Sequence, residues 1–497
     1  MPSSHGVRTA APLLAAAAGL GASVIGVPAA GAATLPTVRS DHAVVAAYTL
    51  IVPRSAAVDR LQTRAVVPNG VACPKVRVVR NGRVRHLTMT MRVPGATTGS
   101  AFASMRACQA NLPPNLSSAS VSGLAVPASL PRRFDKLVIL GDTGCRVDED
   151  LHQDCADPAR WPLARNSRAV AREKADALLF TGDFYYREDP CENTPTDSTV
   201  IDKCGGSPPP VPGMDFNDTD YGWFADVFLP MAPILRTTPL LIARGNHEDC
   251  PRGGNGYALF FDSSPLGAAS CAPDATTGKV PKTIEPTWSF DLPISRDRTL
   301  RAVVVDTAGG KNFELSPWVA KQRPRYRDAA RLSRPTKGRE SWLLSHRPMF
   351  GVDSTLGNFG EPWWNQWTSV DQTAAAQGLI DHYDALIASH IHVAQVVQIP
   401  GQPSQVIVGN GSSIPDYRSG YGKPVYGPLR GGDGVPLSPS VTPYPTAKYL
   451  WTQARYGYVV ATPGRRAHHW TLSQRTVRGK TFATCTMVKK RTRCAER

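Results

Sequence analysis

Five short apolar runs each end in a cluster of residues that could bind metal or move protons. Leu140 is followed by Gly141-Asp142-Thr143-Gly144, and Phe180 by Thr181-Gly182-Asp183-Phe184-Tyr185-Tyr186. Ala243 leads through Arg244 to Gly245-Asn246-His247-Glu248. Leu344 leads to Ser345-His346-Arg347-Pro348, and Ala388 to Ser389-His390-Ile391-His392. The candidate metal ligands are therefore Asp142, Asp183, Tyr186, Asn246, His346, His390 and His392, with His247 beside them as a candidate catalytic residue. All are oxygen or imidazole donors, with no thiolate among them. Such a set suits two divalent or trivalent ions such as Fe, Zn or Mn rather than Ca or Mg. Two ions about 3.5–4 Å apart can clamp a phosphoryl group and deprotonate a water between them. Only a carboxylate bridges two ions well, so one Asp must serve both. Each residue also has a plainer reading. An Asp after a strand usually caps a turn, and a lone His usually packs. Four of the 11 histidines fall in these clusters, which shifts the balance towards chemistry. Tyr186 is the least secure, because Tyr185 adjoins it and an aromatic there could simply pack.

Ligands of open α/β sheets sit at the carboxyl ends of strands, so five such ends would converge on one site. The strands expected from the apolar runs are Lys136–Leu140, Ala177–Phe180, Leu240–Ala243, Arg301–Val305, Trp342–Leu344, Ala385–Ala388 and Gln405–Val408. Arg160–Lys174 has helical character and joins the first two in a β-α-β unit, which predicts an α/β fold. Glycines beside the acids let backbone and metal approach closely. Tyr456–Ala461 and Trp470–Val477 read as closing strands. Residues 34–132 read as a small β-rich N-terminal domain and linker. Period-two alternation over 75–80 and 86–91 brackets Asn81-Gly82, a hairpin turn. The Pro/Ser/Ala-rich stretch 113–132 reads as the linker. Residues 133–497 then form the catalytic domain with a C-terminal β extension.

The order Asp…GDxxY…GNHE…H…HxH resembles the calcineurin-like metallophosphoesterase superfamily over roughly residues 134–470. A Tyr three residues after the second Asp, with no His two residues after Asp142, resembles its purple acid phosphatase branch. The resemblance implies a four-layer α/β/β/α sandwich. It implies that Asp142, Tyr186 and His392 hold a first metal, Asp183 bridges, and Asn246, His346 and His390 hold a second. His247 would orient the phosphate and help protonate the leaving group, with Glu248 behind the ligands. The implied cofactors are two metal ions, Fe with Fe, Zn or Mn. Two departures stand out. Ser389 replaces a usual Gly, which costs little if its φ is negative. Thr143 stands where plant and mammalian purple enzymes have an aromatic. Residues 34–132 do not clearly match the fibronectin-like module of the large purple enzymes.

The chain has 497 residues with 42% hydrophobic and 19% charged, which excludes a disordered protein. Its net charge of +16 comes mainly from scattered arginines. That favours phosphorylated small molecules or other anionic substrates over a stable nucleic-acid partner, which requires clustered cations. Residues 1–33 carry Arg8, an apolar stretch and a small-residue exit, the pattern of a secretory signal peptide. No membrane span is expected in the mature chain. Ten cysteines in an exported chain predict disulfides between sequence neighbours, 73–108, 145–155, 191–204, 250–271 and 485–494. The reading is a secreted or periplasmic dinuclear phosphomonoesterase. Its rivals are a phosphodiesterase or nuclease on the same scaffold, and a non-catalytic phosphate-binding surface protein.

Overall fold

A strand that is apolar at every position must be covered on both faces. Leu137–Leu140 and Ala177–Phe180 are of this kind, and every residue in them is buried. The computed structural model describes residues 44–53, 61–92, 102, 104–148, 151–187, 218–250, 252–263, 271, 283–312, 315–355, 364–416, 427–428 and 448–497. The expected leader 1–33 and the Cys191–Cys204 pair lie outside the described residues.

Leu137–Leu140, Ala177–Phe180 and Leu240–Ile242 pair in parallel at the centre of an 11-stranded sheet. Arg298–Val304, Arg339–Leu344, Ala385–Ala388 and Ser404–Val408 run parallel inside an eight-stranded sheet. Period-two alternation then sorts the side chains. Leu137, Ile139, Leu179 and Leu241 meet Val304, Leu344, Ile387 and Val406 between the sheets. Val138, Leu140, Leu178 and Phe180 pack outward with the helices Leu163–Glu173, Leu229–Thr237 and Gly254–Phe260. Val303, Leu343 and Leu386 pack on the other outer face, with Trp318–Leu332 and Val370–Ala376. The result is the expected four-layer α/β/β/α sandwich. Each fully buried Leu, Ile or Val contributes about 1.5–3 kcal/mol relative to exposure.

The N-terminal strands do not stand apart from this body. Ala46–Ile51 pairs in parallel with Leu240–Ile242, and Leu61–Pro68, Met105–Asn111 and Thr90–Arg92 continue the large sheet. All six residues of Ala46–Ile51 are buried, so the strand needs cover on both faces, and only the sandwich supplies it. The expected hairpin does form, between Lys75–Arg80 and Arg83–Thr88. Asn81 and Gly82 have φ of 51° and 72°, as a two-residue type I′ turn requires. That tight turn pairs Arg80 with Arg83, so the second strand begins earlier than expected. The expected linker also contributes strands, Ser118–Val121 and Leu124–Val126, to the hairpin's four-stranded sheet. Val76 and Val78 of the hairpin pack into the inter-sheet core.

Four of the neighbour disulfides form: Cys73–Cys108, Cys145–Cys155, Cys250–Cys271 and Cys485–Cys494. They point to an oxidising compartment. No helix among the described residues is long and apolar enough to cross a membrane.

Candidate metal centre

The central strands of both sheets release their chains at one end of the sandwich, and the turns there are unusually tight. Asp142, Asp183 and His390 have φ of 52°, 59° and 76°, the left-handed region that non-glycine residues rarely occupy. Such strain persists only where the surroundings enforce it. Here the turns hold one another. Asp142 N–H donates to Gly182 O at 2.9 Å, and Thr143 N–H to Asp183 O at 2.9 Å. The N–H groups of Ser412 and Ser413 donate to Asp142 O. Gly182 has φ of 99°, and a Cβ there would lie 2.6 Å from Gly245 Cα and 2.8 Å from His346 Nδ1. Gly182→Ala should therefore destabilise the fold by at least about 2 kcal/mol. An unchanged thermal midpoint would refute this.

Two groups of side chains meet across Asp183. In the first, the Tyr186 hydroxyl lies 2.9 Å from Asp142 Oδ1, 2.7 Å from Asp183 Oδ2 and 2.9 Å from His392 Nε2. All four residues are buried. His392 Nδ1 faces Ile414 O at 2.8 Å, a pure acceptor, so Nδ1 carries a proton and Nε2 points inward. In the second group, His346 Nε2 lies 2.8 Å from Asn246 Oδ1 and 3.1 Å from Asp183 Oδ2. His346 Nδ1 faces Thr181 O at 2.9 Å, which again turns Nε2 inward. Asp183, His346 and His390 each offer a ligand atom within 4.8 Å of the others. The His390 N–H donates to Asp142 Oδ2 at 2.9 Å. The structure thus brings together the seven residues that the sequence offers as candidate ligands.

The electrostatics fit a cation. One phenolic proton cannot serve two buried carboxylates and a neutral imidazole. Without metal, protons fill the deficit. Burial lowers the His392 imidazole, but Asp416 and Asp142 outweigh it and push it up to about 9. Burial would raise the Asp183 carboxyl, but His346 and His247 hold it well below the usual carboxylate range. Burial, and then the charges of Asp142 and Asp183, raise the Tyr186 phenol well above its ordinary value. Oxygen and imidazole donors around two bridged positions match the donor set of a dinuclear centre.

His247 stands at the rim, its side chain 15% exposed. Its ring lies 4.0 Å from that of Tyr186, its Nε2 lies 4.0 Å from Asp183 Oδ2, and its N–H donates to Asp183 Oδ1 at 2.9 Å. Glu248 turns away from the ligands and ties their loops. Its Oε2 accepts from Asp183 N–H at 2.9 Å and Gly245 N–H at 3.0 Å, and its Oε1 from Phe184 N–H at 2.7 Å.

The model of the calcineurin-like phosphoesterase family matches residues 136–394, more than half of the chain. The chain is a calcineurin-like phosphoesterase. No curated protein matches it. Among solved structures, this phosphoesterase is similar to the purple acid phosphatase PPD1 from yellow lupin (Lupinus luteus) seeds. The identity is 12%, over 90% of this chain and 74% of that one, with a TM-score of 0.51. It is also similar to PhoD, at 11% identity over 91% of this chain and 92% of that one, with a TM-score of 0.47. At such identity the lupin likeness shows the fold alone.

Several residues of the phosphoesterase's site escaped the sequence reading. Arg187, next in the chain after Tyr186, forms a buried two-pronged pair with Asp226, both contacts 2.7 Å. Asp416 Oδ2 accepts from His392 N–H at 2.7 Å. It follows Ser404–Val408 after a Gly-Asn-Gly-Ser-Ser run, so the strand-end rule would have found it. Asn312 and Arg347 flank His390. Ser389, the departure from Gly, is not among the positive-φ residues, and its hydroxyl donates to Thr181 O at 2.6 Å.

Proposed function

We propose that this phosphoesterase is an exported phosphomonoesterase with two metal ions, one held by Asp142, Tyr186 and His392 and the other by Asn246, His346 and His390. Asp183 is the bridge. The observation that carries this reading is the position of Asp183 Oδ2, 2.7 Å from the Tyr186 hydroxyl and 3.1 Å from His346 Nε2. One carboxylate oxygen reaches both groups of donors. When bound, the ions neutralise the phosphoryl oxygens and acidify a water. The chain's own residues orient and protonate. Thr181 O and Ile414 O fix the two inward-facing imidazoles, His247 at the rim carries the proton for the departing alcohol, and the buried floor excludes bulk water. Burial of Asp142, Asp183, Tyr186, Asn246, His346 and His392, with His247 and His390 half-buried at the rim, supports a terminal phosphoryl group over a phosphate within a chain. The net charge of +16 supports an anionic small substrate by steering. The disulfides support export, with residues 1–33 as the leader. Faster turnover of a bis-nitrophenyl diester than of the nitrophenyl monoester would replace the monoester reading with a diesterase.

Iron at the first position is proposed on Tyr186. Phenolate bound to ferric iron absorbs visible light, so the native enzyme is expected to be coloured. Tyr186→Phe should remove the band while Tyr185→Phe leaves it, because the Tyr185 ring stacks on Trp223 with centroids 5.2 Å apart. A colourless enzyme, fully active with zinc or manganese and indifferent to Tyr186→Phe, would remove iron and the purple branch together.

A further inference from the structure

His346 and His392 are aimed by backbone carbonyls, but His390 is aimed by side chains. Its Nε2 lies 2.9 Å from Asn312 Oδ1 and 2.8 Å from a terminal guanidinium nitrogen of Arg347. The same Asn312 oxygen accepts from that guanidinium. Arginine has no acceptor, so the Asn312 atom facing it is the oxygen, and Arg347 has nothing to offer an Nε2 proton. A cation beside Nε2 also excludes a metal there, which leaves Nδ1 as the ligand atom. Nδ1 can bind metal only if it carries no proton. Two arrangements compete. If Nε2 accepts from Arg347, the ring proton sits on Nδ1 and blocks the metal. If Nε2 donates to Asn312, Nδ1 is bare.

We propose that Asn312 is the positioning residue that selects the metal-binding tautomer of His390, by drawing the Nε2 proton and the Arg347 guanidinium onto one amide oxygen. This rests on the reading of His390 as a ligand. The Asn312 loop is built for a fixed acceptor. Asp371, in the first turn of Val370–Ala376, accepts from Lys311 N–H at 2.7 Å and from Ser316 N–H at 2.8 Å. Val370 N–H donates to Asn312 O at 3.0 Å. These bonds fix the backbone from which the Asn312 side chain extends. Arg347 is held from its backbone, whose N–H donates to Thr307 Oγ1 at 2.8 Å.

The test compares Asn312→Leu, close in size but without an acceptor, with Asn312→Asp, which restores one. Long-range proton–nitrogen spectra of histidine-labelled, metal-free protein at pH 8 report the His390 tautomer. The wild type and Asn312→Asp should carry the proton on Nε2, and Asn312→Leu on Nδ1. Calorimetric titration with Zn²⁺ should show one of two sites weakened about 10–100-fold in Asn312→Leu, recovered in Asn312→Asp, with the other site unchanged. An Asn312→Leu protein with the wild-type tautomer and both affinities intact would overturn the proposal. So would an Asn312→Asp protein as impaired as Asn312→Leu. A wild type that takes up no Zn²⁺ would sink the two-metal reading instead, and the tautomer spectra alone would then decide for or against Asn312.

Discussion

Asp183→Asn is expected to abolish turnover, by about 10³-fold or more, and to lower metal content at both positions. The effect is electrostatic. Oδ2 of Asp183 lies between the Tyr186 hydroxyl and His346 Nε2, and Oδ1 accepts the His247 N–H. A carboxylate there supplies one negative charge to two cations. An amide supplies none, and one of its two atoms becomes a donor facing a metal. The fold should survive, because the Asp183 N–H still donates to Glu248, the Asp183 carbonyl still accepts from Thr143, and an asparagine Oδ1 can still accept the His247 N–H. Metal analysis together with a thermal melt separates loss of the bridge from loss of the fold. Two retained metals with near-normal turnover would refute the bridging role.

His247→Ala is expected to leave both metals in place and to lower kcat by about 10²–10⁴-fold, the usual range for a general acid. The loss should be larger for an alkyl phosphate than for a nitrophenyl phosphate, because a weakly acidic alcohol needs the proton more. The geometry supports this division of labour. The His247 ring is partly exposed beside the buried Asp183, and its Nε2, 4.0 Å from Asp183 Oδ2, leaves room for a substrate oxygen. Equal losses on both esters would make His247 a phosphate binder. Loss of a metal would make it a ligand.

The inner strands were readable from the sequence because they are apolar at consecutive positions and end in glycine and polar residues. Ala177–Phe180 and Ala385–Ala388 fall where the apolar runs placed them. The helix expected at Arg160–Lys174 is Leu163–Glu173, stopped by Lys174 at φ 51°. What the sequence hid is long-range. Nothing local in Ala46–Ile51 says that it will lie beside Leu240–Ile242, almost two hundred residues away, rather than in a domain of its own. The ligand candidates were legible because each sits directly after a strand. Asn312 and Asp226 were not, since their roles depend on partners distant in the chain, His390 and Arg187.

The proposed ligands divide between the two sheets. Asp142, Asp183, Tyr186 and Asn246 follow strands of the larger sheet, and His346, His390 and His392 follow strands of the smaller one. Each proposed ion, together with the shared Asp183, therefore draws ligands from both. A centre arranged in this way acts as a clasp on the rim of the sandwich. The inner faces close mainly by hydrophobic contact, with polar links such as Trp470 Nε1 to Glu340 Oε2, and the proposed ions would add coordination to the hydrogen bonds at this rim. Metal uptake then contributes to holding the halves together, by about 4 kcal/mol when free metal is a thousandfold above its dissociation constant. Any sliding of one sheet over the other would be felt at once as a change in the distance between the ions. The chemistry and the mechanical integrity of the sandwich would therefore be set by the same few bonds.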